Sequence, residues 1–127
     1  MIRGIAYELL GDRYRLERTI VCALPDDLRV PQPVRLGHVT MIRSLLRIDA
    51  GYEWDGPSGP TIDTPSFMRG SLVHDALYDL IKAGLLPKRA RAAADRVLYL
   101  ICREDGMSWL RAQYVWAAVR IGGWTHV

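Results

Sequence analysis

The order of apolar and polar residues divides the chain into a strand-patterned first half and a helix-patterned second half, joined by a Gly/Pro-rich stretch. Ile2 to Leu24 predicts two strands around a turn at Gly11-Asp12. The second, Arg13 to Cys22, alternates charged and apolar side chains, the period of a strand with one wet face. Pro25-Asp26-Asp27 and Pro31-Gln32-Pro33 punctuate a loop. Val34 to Ile48, rich in Leu and β-branched residues, again predicts strands and places His38 in this sheet, with a helix over Met41 to Leu46 as the alternative. From Asp49 to Pro65, the density of glycine and proline leaves little room for regular structure, so backbone groups there must find partners outside a ladder.

Thr64 or Ser66 is a candidate N-cap for a helix over Phe67 to Ala83, closed by Gly84. Pro87 opens a second helix, Lys88 to Glu104, stopped by Gly106; a third, Ser108 to Ile121, stops at Gly122-Gly123. The short link Gly84-Leu85-Leu86-Pro87 makes the first two helices antiparallel neighbours, which brings Asp95 across to His74. The predicted fold is α+β: one domain over residues 1–127, with a small N-terminal antiparallel sheet (1–48), a loop (49–65) and a three-helix unit (66–124).

Composition narrows the function. The chain has 127 residues, half of them apolar, enough to bury a core without staples. A net charge of +3 from 17 basic and 14 acidic residues is too mild a bias for a nucleic-acid binder, and none is expected as partner. No apolar run reaches transmembrane length. Met1 to Glu8 lacks the features of a secretory signal, so export by that route is not expected. Cys22 and Cys102 stand alone and read as reduced, buried thiols.

The chemistry concentrates in Ser71, His74, Asp75 and Tyr78, which recur at i, i+3, i+4 and i+7 on one helix face within an apolar segment. Inward-facing polar groups are costly unless paired or used. Used, a carboxylate at Asp95 would hold the His74 imidazole in one tautomer as a general base, and Asp75 with loop carbonyls would form a hard-oxygen site suited to Ca²⁺. Paired, His74, Tyr78 and Asp95 would be a hydrogen-bonded network that fixes helix packing. A third reading takes His38, His74-Asp75 and Asp95 in the residue order of metal-dependent phosphohydrolases, whose fold is all helical. Trp109, Tyr114, Trp116 and Trp124 are a candidate docking face or core; Lys88, Arg89, Arg91 and Arg96 are a candidate anion contact, with Arg91 and Lys88 foremost, or a solvated face; His126 reads as solvated.

The ordered motifs Gly51-Tyr52-Glu53-Trp54-Asp55-Gly56-Pro57-Ser58, His74-Asp75-Ala76-Leu77-Tyr78, Arg91-Ala92-Ala93-Ala94-Asp95 and Val119-Arg120-Ile121-Gly122 resemble an uncharacterised family of small phage and prophage proteins, a domain of unknown function. The resemblance spans Ile48 to Trp124 and implies a phage origin. More distantly, a Gly-rich loop followed by a helix with His-Asp-x-x-Tyr and an antiparallel helix with Asp is similar to the phospholipase A2 group. That similarity implies His74 as general base, Asp95 orienting it and Tyr78 bracing Asp95. It further implies Ca²⁺ held by Asp75 and Asp55 with carbonyls of Trp54, Gly56 and Gly59, and a phospholipid or other ester as substrate. The cysteines that bracket the histidine in that group are absent here; Ser71 and Leu77 stand nearby. The expected function is thus a phage-encoded accessory protein with a His-Asp-Asp site, a Ca²⁺-assisted ester hydrolase. The alternative is a non-catalytic virion or host-interaction protein, with other virion proteins as partners.

Overall fold

The computed structural model describes residues 5–55 and 65–122. Among them the chain forms two small antiparallel sheets followed by three helices, the expected α+β fold. Strands β1 (Tyr7–Leu10) and β2 (Arg13–Leu16) form a hairpin, and β7 (Glu53–Trp54) pairs with β2 on its other side. The second sheet has the order β3-β6-β5-β4, from β3 (Ile20–Ala23), β4 (Val34–Leu36), β5 (Val39–Ile42) and β6 (Leu45–Ile48).

The strands expected over Val34 to Ile48 are present, whereas two other expectations are corrected. The single strand Arg13 to Cys22 is two strands in different sheets. Inward positions fall on the even residues Tyr14, Leu16, Ile20 and Cys22, and the phase is kept across the break. Arg18 occupies an inward phase with a charge, so the chain bends there and solvates it, and Thr19 Oγ1 ties the bend by accepting from the Ala50 N–H at 3.0 Å. The alternative helix at Met41 to Leu46 is the β5–β6 hairpin, which turns at Arg43 with φ of +53°. His38 lies in the β4–β5 turn, exposed, rather than in a strand.

Part of the Asp49 to Pro65 stretch is ordered as β7, while Gly56 to Thr64 lies outside the described residues, as does Thr64 as a candidate N-cap. Gly51 sits at φ +100°, and the His38 ring packs so closely that a Cβ at Gly51 would lie 2.9 Å from His38 Nε2. Only glycine satisfies both demands at that point.

Helices α1 (Pro65–Lys82), α2 (Ala90–Glu104) and α3 (Trp109–Gly122) follow. Sheet residues Leu16, Met41, Leu46, Ile48 and Trp54 form one core with Leu72, Ala76, Leu77 and Leu80 of α1 and Ala94 and Val97 of α2. A smaller core of Phe67, Leu98, Cys102, Met107, Ala112 and Val115 joins the three helices. Both cysteines are free; burial raises the Cys22 thiol and pushes Cys102 up to about 12, which keeps both protonated. Helices α1 and α2 run antiparallel in close contact: a Cβ on Gly70 would lie 2.9 Å from Cys102 Sγ and 3.0 Å from Leu98 Cδ1. Arg69 then clamps the far end with a forked pair of 2.9 and 3.0 Å bonds to Asp105 and a 2.9 Å bond to Glu104.

Candidate functional site

His74 and Tyr78 lie one turn apart on α1, so both side chains reach the same level of α2, where they meet Asp95. His74 Nε2 lies 2.7 Å from Asp95 Oδ1, and the Tyr78 hydroxyl donates to that same oxygen at 2.5 Å. The two rings lean together with centroids 4.2 Å apart. The other oxygen, Asp95 Oδ2, accepts from Arg120 of α3 at 2.9 Å and has Arg91 at 3.6 Å. Four side chains from three helices thus converge on one carboxylate that has no exposure at all.

Burial alone would raise the Asp95 carboxyl; hydrogen bonds from His74, Tyr78 and Arg120 outweigh it and hold the group below the usual carboxylate range. Asp95 is therefore an ionised acceptor, and His74 must present Nε2–H to it. That leaves Nδ1 as the ring nitrogen not engaged by Asp95. Burial, together with the bond to Asp95, raises the Tyr78 phenol and keeps it a donor. His74 itself is 8% exposed.

The structure separates the other expected residues from this cluster. Ser71, though on the same helix, donates to the Met68 carbonyl at 2.9 Å and accepts from Trp54 Nε1 at 3.1 Å, so it anchors a buried indole rather than touching His74. Trp54 itself sits in β7 opposite Tyr14, ringed by Tyr7, Tyr14 and Tyr52. Asp75 is half-buried and its carboxyl is pushed up to about 6, first by burial and then by the charges of Asp79 and Asp55, against the opposing charges of His74 and Lys82. Asp55 is exposed and bound to Arg13 at 2.6 Å. Gly56 and Gly59 lie outside the described residues, as do Trp124 and His126. Among the described residues no three His, Cys, Asp or Glu side chains converge as a metal site.

Arg91, expected as an anion contact, is turned inward to Asp95 and to the Arg120 carbonyl at 3.5 Å, whereas Lys88 is exposed. His38 stands apart from the His74 cluster, over a depression of about 290 Å³ lined also by Leu36, Tyr52, Glu53 and Asp79. Tyr52 donates to Asp79 there at 2.7 Å, and burial with that bond raises its phenol. Among the contacts that escaped the sequence reading are Arg120 on Asp95 and Tyr52 on Asp79. The first had a signal, since Arg120 lies among apolar residues of α3 within the Val-Arg-x-x-Gly motif. The second had none, because 27 residues separate its partners.

A small α+β protein with two short sheets and three helices, in which the three helices lock a His–Asp–Tyr–Arg cluster, is the class that these observations define. The chain belongs to the family described as protein of unknown function (DUF1353), whose model matches residues 29–119. That span covers the second sheet from β4 onward, β7, α1, α2 and most of α3, and so includes His74, Tyr78, Arg91 and Asp95; strands β1 to β3 precede it. No curated protein and no solved structure matches the chain.

Proposed function

We propose that the chain is a hydrolase in which His74 activates water. The observation that carries this is the bond from His74 Nε2 to an ionised, buried Asp95, with Tyr78 on the same carboxylate oxygen. The pair does what a general base needs. Asp95 fixes the tautomer, offsets the charge that forms when Nδ1 takes a proton, and is itself held by Tyr78, Arg120 and Arg91. The similarity to the phospholipase A2 pattern points to carboxylic esters of lipids as the substrate class, and the motif resemblance to a phage or prophage setting.

Asp75, next to His74, fits a cation better than it fits an empty surface: its carboxylate is half-buried, close to the charges of Asp79 and Asp55, and bonded to no described residue. Asp75 and Asp55 are the residues that would hold Ca²⁺, with Asp55 first leaving Arg13. A bound calcium would supply positive charge to polarise an ester carbonyl and steady its oxyanion.

A second reading rests on a specific observation as well. No buried side-chain polar atom among the described residues lacks a partner, and Asp95 is balanced by two arginines as a packing node would be. In that reading the protein is a non-catalytic virion or host-interaction component. Release of fatty acid from phosphatidylcholine and phosphatidylglycerol vesicles, with Ca²⁺ and with chelator, separates the two. The hydrolase reading expects Ca²⁺-dependent release by wild type that Asp75→Asn loses. No release under either condition overturns it.

A further inference from the structure

Helix α3 carries apolar side chains on every side, yet only Ala112 and Val115 are buried. A helix apolar all round is ordinarily covered. Here Leu110 and Ile121 are 74% and 73% exposed, and Trp109 and Tyr114 are more than half exposed. The adjoining ridge of α2 supplies Arg89, Arg96 and Arg103, all exposed and each seven residues from the next, so the three guanidinium groups line one face over about 21 Å. Helices α2 and α3 are tied to each other by Gln113, which donates to the Tyr99 hydroxyl at 3.4 Å, and Arg103 donates to the Met107 carbonyl in their connection at 2.8 Å.

Among the described residues, the acidic side chains of α2 and of the turn after it are already paired. Helix α3 contains no acidic residue; Asp95 is consumed in the buried cluster, and Glu104 and Asp105 are bound by Arg69. Among the described residues Arg89, Arg96 and Arg103 form no ion pair. The occupant must therefore be anionic and must also accept Leu, Ile, Trp and Tyr. A second copy would set one arginine row against another. A single acidic side chain would meet one arginine of three. A plane of phosphates over hydrocarbon meets all three rows of demand: Trp and Tyr favour the boundary between polar and apolar layers, Leu and Ile the hydrocarbon, and arginine the headgroups. No helix among the described residues is long and apolar enough to cross a bilayer, so the contact lies along the surface.

We propose that the outer face of α2 and α3 docks on an anionic lipid surface, with Arg89, Arg96 and Arg103 on the phosphates and Leu110, Tyr114 and Ile121 at the interface. The docking does not depend on any chemistry at His74. It is read as cosedimentation of the full chain with phosphatidylcholine vesicles, with and without phosphatidylglycerol, at low and high salt. Wild type is expected to bind the phosphatidylglycerol vesicles at least tenfold more tightly than the neutral ones, and salt to weaken that binding. Arg89→Gln/Arg96→Gln, which leaves the Arg103 bond to Met107 in place, is expected to lose binding by roughly tenfold or more at an unchanged melting temperature. Leu110→Gln/Ile121→Gln is expected to weaken it on the anionic vesicles. His74→Gln binds as wild type does, whatever becomes of the hydrolase reading. Equal binding to both vesicle types, no cosedimentation with either, or a self-association abolished by Leu110→Gln/Ile121→Gln would each overturn the proposal.

Discussion

Asp75→Asn tests whether the residue beside His74 is held against its own stability. The Asp75 carboxyl stands at about 6 in the folded chain, against 3.8 for a free aspartate, because burial and the charges of Asp79 and Asp55 oppose its ionisation. Folding then makes ionisation harder by about two pKa units, and at about 1.4 kcal/mol per unit the ionised side chain costs the native state roughly 3 kcal/mol. The direction in pH follows. Below about pH 4 Asp75 is protonated in both states and costs nothing. Between about pH 4 and pH 6 the native state binds more protons than the unfolded one, so stability falls as pH rises. Above that window the full cost is present. Asp75→Asn removes the charge, keeps the shape and breaks no bond to a described residue. Urea unfolding at a series of pH values is expected to show the variant more stable than wild type by roughly 2–3 kcal/mol at pH 7, the gap closing toward pH 4. Millimolar Ca²⁺ should narrow the gap at pH 7 by stabilising wild type alone. A gap that is absent at pH 7, or that does not change with pH, refutes the reasoning.

Other residues give sharper structural tests. Asp95→Ala leaves the Arg120 and Arg91 charges without their buried partner and is expected to cost roughly 3–5 kcal/mol, read as a large drop in denaturation midpoint. Tyr78→Phe removes one of the donors on the ionised Asp95 and should cost roughly 1.5–3 kcal/mol by the same unfolding experiment, an unchanged denaturation midpoint contradicting the bond. Gly70→Ala should destabilise by roughly 1–3 kcal/mol despite alanine's better helix propensity, because the methyl group meets Cys102 and Leu98; Gly70→Ala with Cys102→Ser recovers only part of it, since Leu98 remains.

Much of this architecture is written in local pattern. The three helices follow from their apolar periodicity and from the glycines and proline between them, and the short link at Gly84 to Pro87 is what makes α1 and α2 antiparallel and Asp95 a neighbour of His74. The division into two sheets is less visible, because the inward phase continues through the bend and only the charge of Arg18 betrays it. Ser71 shares a helix face with His74 in projection, yet a turn of offset aims it at Trp54 instead. Arg120 reaches Asp95 from a helix 25 residues away, and no spacing rule within one helix encodes that contact. His38 was displaced from strand to turn because Gly37-His38 is the hairpin tip, where β-propensity has no say.

Base catalysis by His74 is tested most directly by ester turnover of wild type and His74→Gln, measured on the same preparations as their melting temperatures. The account expects wild-type turnover to fall by at least a hundredfold in His74→Gln while the melting temperature moves by only a few degrees, since Asp95 keeps Tyr78, Arg120 and Arg91. Equal turnover in the two proteins, or a collapsed melt with no wild-type turnover to lose, would contradict it and leave the cluster as a packing node.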